Sequence, residues 1–203
     1  MLKDGGPVAQ AMVTLLIVSE PDIASTIQGD ALLNRGNWIE MDTVEAGRVW
    51  KHEIKDVWLW WFANRLLMED GLDNRFSSAT GEIVDEVIFL SRHFAASGRP
   101  SLTLHVIGVP GEHPHGEKAE HGGIKGDVML PNPRFASWYR LMCEAAHRHA
   151  LVPEFELTIE TTHHGPCLEV PTMFIEIGSS ESHWGRVDAA EAWADVMEMG
   201  LGL

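Results

Sequence analysis

Residues 158–166 read TIETTHHGP: an alternating segment closes on His163 and His164, followed by Gly165 and Pro166. Imidazoles carry protons near neutral pH and bind metals, so two of them at a strand end mark a place where chemistry can be done. Three other strand-like segments also finish in polar groups. Residues 86–90, EVIFL, run into Ser91, Arg92 and His93. Residues 101–106, SLTLHV, carry His105 near their end. Residues 173–177, MFIEI, enclose Glu176 and run into Gly178, Ser179, Ser180 and Glu181. Taken singly, the histidines read equally as structural side chains, and the GSSE stretch reads as a helix cap. Glu176 is harder to set aside, because a carboxylate inside an apolar strand needs a partner or a function. The coincidence of four such strand ends is what points to a site.

Two chemistries suit this set of groups. Histidine and carboxylate can hold zinc, which lowers the pKa of water for hydrolysis. Alternatively, a histidine acts as general base while backbone amides at the GSS turn steady an oxyanion. No HExxH or CxxC spacing decides for zinc, and GSSES lacks the second glycine of a GxSxG elbow. A second histidine-bearing stretch, residues 108–126, holds His113, His115 and His121 among glutamates. It reads as a solvated loop in preference to a metal loop.

The elements that must position these groups follow from periodicity. Residues 12–19 form a buried strand, near-continuously apolar, and a helix to about residue 33 follows the SEPD turn. The eight-residue apolar run from Ala11 to Val18 is too short to span a bilayer, and it reads as this strand in preference to a secretion signal. The tryptophan-rich segment 50–68 suits strand or helix and reads as core or interface. Asn132-Pro133 looks like a helix start, with an apolar stripe through Phe135, Trp138, Met142 and Ala145 and a basic end at His147–His149. Residues 154–161 alternate with Phe155, Leu157 and Ile159 inward, and a last helix runs over about 187–199. Strands alternating with helices predict a single α/β domain over 1–203: three layers, α/β/α, around a mostly parallel or mixed sheet. Parallel strands would gather their polar ends at one edge, where α/β folds bind ligands.

The chain carries 30 acidic and 15 basic residues, a formal charge of −15, which argues against non-specific coating of nucleic acid. DNA and membrane partners are not expected. Cys143 and Cys167 form no CxxC pair, and a reducing cytoplasm fits them. A homodimer fits the exposed apolar area that the tryptophan-rich segment would otherwise leave.

Residues 91–108 (SRHFAASGRPSLTLHVIG), 160–166 (ETTHHGP), 171–185 (PTMFIEIGSSESHWG) and 18–27 (VSEPDIASTI) resemble the motifs of the archaeal and plant-type D-aminoacyl-tRNA deacylases. The resemblance implies a fold related to phosphorylases and peptidyl-tRNA hydrolases. It implies hydrolysis of the ester joining a D-amino acid to tRNA, with dependence on Zn2+. Catalysis would fall to His93, His163, His164 and Glu176, and metal binding to His93, His105, His163 and Glu160. Substrate would meet Ser91, Arg92, Gly165, Gly178, Ser179 and Ser180. Family members continue into a C-terminal segment with a glycine-rich HY motif, so part of the pocket or tRNA surface is expected from outside these residues. Here Val109 follows Gly108 where the family has Asn, and the histidine-rich loop is inserted. A tRNA surface would collect Arg92, Arg99, Lys118, Lys125, Arg134 and Arg140 on one face. The competing readings are a related hydrolase or phosphorylase-like enzyme without tRNA specificity and a non-catalytic metal- or RNA-binding protein.

Overall fold

β1 (Met12–Ser19) sits near the middle of an eight-stranded sheet, which is why its run of side chains is buried on both faces. The structure, a computed structural model, describes residues 12–111 and 121–203. In chain order, β1 leads to α1 (Ile23–Leu33), β2 (Trp38–Val44), β3 (Gly47–His52), β4 (Val57–Phe62), α2 (Leu72–Thr80) and β5 (Ile83–Arg92). Then come β6 (Ser101–His105), α3 (Phe135–Arg148), β7 (Glu156–Ile159), β8 (Thr172–Gly178), α4 (Glu181–Trp184) and α5 (Val187–Leu201). The strand order is β2-β3-β4-β1-β5-β8-β6-β7.

β4, β1, β5 and β8 are mutually parallel, whereas β6 runs antiparallel to β8 and parallel to β7. The sheet is therefore mixed, and the expected gathering of all polar strand ends at one edge does not occur. Ser101 pairs with Gly178, and His105 pairs with Phe174 at the other end of β8. What the reversed strand does instead is bring His105 over the sheet's face, two positions from Glu176.

The two faces are covered unequally. One core joins Leu16, Val18, Leu90, Ile175 and Ile177 to α1, α3 and α5 through Ala24, Trp138 and Trp193. The other joins Val13, Leu15, Ile17, Phe89 and Phe174 to α2, through Leu72 and Phe76, and to loop residues. Alternation along β8 sends Ile175 and Ile177 to the helix-rich side, and Phe174 and Glu176 to the sparsely covered one. The site lies where that thinner cover stops.

Several local expectations are adjusted. The tryptophan-rich segment is two strands joined by a turn. Trp58, Trp60 and Trp61 are buried, so this segment does not supply the exposed apolar area that motivated a dimer. Asn132 makes the turn before α3: its Oδ1 accepts from the Arg134 N–H at 2.8 Å, and the helix begins at Phe135. Ile159 does not point inward. Leu157 packs on the helix-side core, but Ile159, at the end of the edge strand β7, is 53% exposed. Among the described residues no helix is long and apolar enough to cross a membrane.

Candidate active site

Each functional side chain is held by its backbone. The His93 N–H donates to the Ile177 carbonyl at 2.9 Å, extending the β5–β8 ladder by one rung. Its ring packs where Gly178 has no side chain: a Cβ there would lie 2.6 Å from His93 Cβ and 2.7 Å from Cδ2. His105 is fully buried, its ring stacked on Phe174 at 5.1 Å and 3°. Beyond β7 the Glu160 N–H donates to the Leu104 carbonyl at 3.2 Å, and a bridge between Ile107 and His163 resumes the pairing.

Adjacent residues of an extended strand face opposite ways. His163 and His164 escape this because His164 has φ +48, in the left-handed region that non-glycine residues rarely adopt. Both rings consequently approach His105, with centroids at 4.2 Å for His163 and 4.8 Å for His164, and they lie 4.3 Å from each other. The two rings and His105 thus form a three-ring cluster.

Backbone carbonyls orient the three rings. Nδ1 lies 3.1 Å from the Val106 carbonyl in His105, 2.6 Å from the Thr161 carbonyl in His163 and 2.6 Å from the Gly165 carbonyl in His164. A carbonyl only accepts, so the network assigns a proton to each Nδ1. Burial and the nearby His105 hold His163 below the ordinary histidine pKa, and burial, His105 and His163 hold His164 well below it. Burial also opposes charge on His105, but Glu176 outweighs it and raises that pKa.

The second half of the site is carboxylate-rich. His93 Nδ1 lies 2.8 Å from Glu160 Oε1 and 3.6 Å from Glu176 Oε2, and Glu176 Oε1 lies 3.8 Å from His105 Nε2. Burial works against a charge on His93, yet Glu160 and Glu176 together push its pKa up to about 10. Glu176 is buried, but His105 and His93 more than offset the burial and hold its carboxyl far below the usual carboxylate range. Glu160 Oε2 also approaches His163 Nε2, at 3.7 Å.

Two buried atoms here have no hydrogen-bond partner: His105 Nε2 and Glu160 Oε1. The latter lies 2.8 Å from His93 Nδ1 as an ion pair. Orphaned donor atoms of these types are what a cation would satisfy. Two triads can present ligand atoms mutually within 4.8 Å: His105, His163 and His164, and His93, Glu160 and Glu176. The residues present therefore fit a metal ion.

A cavity of about 720 Å³ opens onto this cluster. Of the residues singled out in the sequence, Ser91, Arg92, His93, Glu160, His163, His164 and Glu176 line it. His105 lies behind them, fully buried. Gly165 and Gly178 support the wall from outside the lining. The Gly165 N–H is committed to the His121 carbonyl at 3.0 Å. Ser179 is buried at the strand rim, its hydroxyl donating to the Arg99 carbonyl at 2.6 Å, and the Ser180 hydroxyl meets Ser182 and His183 within α4. Neither serine hydroxyl is turned to the cavity's polar contacts. His113 and His115 lie outside the described residues, whereas His121 lines the cavity.

Sequence reasoning missed Asp22, Arg65, Leu67, Met68 and Phe94, which also line the cavity. Asp22 had a signal, since it caps α1 through the Ala24 and Ser25 amides. Its second oxygen accepts from the Arg92 N–H at 3.1 Å and so ties α1 to the end of β5. Of the cations expected on one face, Arg92 lines the cavity, Arg99 pairs with Glu156, Arg134 pairs with Glu86, and Lys118 lies outside the described residues.

A family model described as D-aminoacyl-tRNA deacylase matches residues 80–202. A D-aminoacyl-tRNA deacylase of Arabidopsis thaliana is 46% identical over 202 residues, covering 95% of this chain and 60% of the relative. A crystal structure of a conserved protein of unknown function superposes with TM-score 0.81 at 31% identity, covering 96% of this chain and 64% of that one. Futalosine hydrolase of Helicobacter pylori shares the fold at TM-score 0.53 and 11% identity, covering 95% of this chain and 99% of its own. The chain thus spans less than two thirds of the Arabidopsis relative's length. The motifs that converge on the histidine–carboxylate cluster fall largely inside the matched span, and by that match the chain belongs to the D-aminoacyl-tRNA deacylase family.

Proposed function

We propose that this chain hydrolyses the ester between a D-amino acid and the 3′ end of tRNA, releasing both in the cytoplasm. The observation that carries the reading is a cluster of histidines and carboxylates, pre-arranged by the sheet, at the floor of an open cavity. His105, His163 and His164 are the residues that would hold Zn2+, imidazoles being ligands that catalytic zinc sites use. Bound there, zinc supplies positive charge beside the ester carbonyl and eases ionisation of the attacking water.

The chain's own groups have distinct tasks. Glu160 takes the proton from water as its oxygen bonds to the carbonyl carbon. His93, protonated at neutral pH, gives its proton to the ribose oxygen as the C–O bond breaks. Glu176 orients His93 and stabilises its charge, much as the buried carboxylate of a Ser-His-Asp triad does. Arg92 stands on the wall where a phosphate would pass. Selectivity for the D form comes from the cavity's shape, which excludes the L side chain.

The test is deacylation of D-Tyr-tRNA and L-Tyr-tRNA by the purified chain, with zinc and after chelation. Hydrolysis of the D ester that chelation abolishes and zinc restores is the expected result. Folded, zinc-loaded protein that leaves D-Tyr-tRNA intact defeats the proposal. A narrower expectation concerns Gly178. In Gly178→Ala the new methyl collides with His93 and must push the ring aside. A displacement of about 1 Å can cost roughly 100-fold in rate. Turnover should fall by that order while zinc content, measured by elemental analysis, stays near the wild-type value.

A further inference from the structure

We infer that Phe94 is the stacking platform for the terminal adenine of the tRNA substrate, an assignment that rests on the proposed deacylase function. Phe94 follows His93 directly in the chain and lines the same cavity. It is 73% exposed, the second largest exposure among the large apolar side chains of the described residues, after Ile54 at 78%. An aromatic ring left in water beside a reactive cluster covers nothing of the protein's own core. Its backbone, by contrast, is well anchored: the His93 carbonyl just before it accepts from Trp184 Nε1 at 2.8 Å, and the Ala95 N–H just after it donates to the Ser179 carbonyl at 3.3 Å. The ring is therefore presented from a fixed turn.

Charge and size specify the occupant. Arg65 and Arg92 line the cavity together with the carboxylates of Asp22, Glu160 and Glu176, so an anionic group would be met locally at the two guanidinium groups and not by the cavity as a whole. The Arg92 guanidinium lies 4.6 Å from the Trp184 ring centre, which braces it on the cavity wall. Leu67 and Met68 also line the cavity and supply apolar wall, with Met68 68% exposed. A volume of about 720 Å³ is that of a pocket for a drug-sized ligand, larger than an amino acid needs. A planar base joined to a phosphate, with its ribose ester reaching the histidines, uses all three features. Every base presents a π-face, and aromatic side chains bind it by stacking.

The experiment compares Phe94→Ala and Phe94→Trp with the wild type, each loaded with zinc, in D-Tyr-tRNA deacylation. Free D-tyrosine serves as a second probe, through its inhibition constant. For Phe94→Ala the expected result is a KM raised about 5-fold to 150-fold, the range for losing one base–aromatic stack, with kcat within about twofold. Phe94→Trp should restore KM, and the D-tyrosine inhibition constant should not move in either variant. An unchanged KM in Phe94→Ala overturns the assignment while leaving the deacylase reading intact. A rise in the D-tyrosine constant matching that in KM also overturns it, because Phe94 would then contact the amino acid. Failure of the wild type to hydrolyse D-Tyr-tRNA removes the deacylase reading and this assignment together. The ring's exposure means that the alanine variant should unfold at the wild-type temperature.

Discussion

Replacing Glu176 with glutamine should lower the deacylation rate by about 100-fold to 10,000-fold, the range for disabling a positioned acid–base group. The substitution keeps the side chain's shape and one carbonyl oxygen but removes the negative charge that stands 3.6 Å from His93 and 3.8 Å from His105. His93 owes its charged form to Glu160 and that carboxylate against the pull of burial, and Glu176 also raises the His105 pKa. In the variant, Glu160 alone faces His93, so the His93 pKa should drop from about 10 toward the ordinary histidine value. An imidazole NMR titration would read that drop directly and separate loss of charge from loss of fold. The glutamine also turns either an amide N–H2 or a carbonyl toward rings that were paired with an anion, which disturbs their orientation. Wild-type turnover in Glu176→Gln would remove Glu176 from the mechanism and with it the assignment of His93 as the proton donor.

The carboxylate that carries this prediction was legible in the sequence for a simple reason. Glu176 interrupts an apolar strand, and burying a charge without a partner is too costly to be incidental. The types of the partners were legible too, as histidines at neighbouring strand ends. Their geometry was not. It depends on β6 running against β8, a long-range pairing that no local pattern encodes, and on the left-handed backbone of His164, which turns two adjacent rings the same way. The alternation of residues 154–161 misled at Ile159 because burial on an edge strand is decided by how far the helix layer extends. Phe94, Arg65 and His121 were invisible as cavity residues because loops carry them, and a loop's place on the surface follows from tertiary packing. The tryptophans read as core or interface and Trp58, Trp60 and Trp61 are core, but their division into two strands turned on the short reversal between β3 and β4.

Arg134 is expected to matter for stability and not for tRNA. Its Nε donates to Glu86 Oε1 at 2.7 Å, and Nη1 donates to the Gly200 carbonyl at 2.8 Å in the last turn of α5. Glu86, 4% exposed on β5, also accepts from Thr14 of β1 at 2.7 Å and from Asn132 Nδ2 at 2.9 Å. One carboxylate thus joins two central strands to the turn before α3, and Arg134 extends the link to the end of α5. Arg134→Met would leave that buried charge with only neutral donors. Breaking a buried pair costs about 3–5 kcal/mol; the side chain's 37% exposure favours the lower end, near 3 kcal/mol. At about 2–4 °C per kcal/mol for a domain of this size, thermal unfolding should begin roughly 6–12 °C earlier. Removing both partners in Glu86→Leu/Arg134→Met should recover much of the loss, because the stranded charge goes with its partner. The KM for D-Tyr-tRNA should stay at the wild-type value in Arg134→Met at a temperature where it is folded. A large rise in KM with unaltered unfolding would mean the reverse: that Arg134 serves the tRNA surface and the Glu86 network is dispensable.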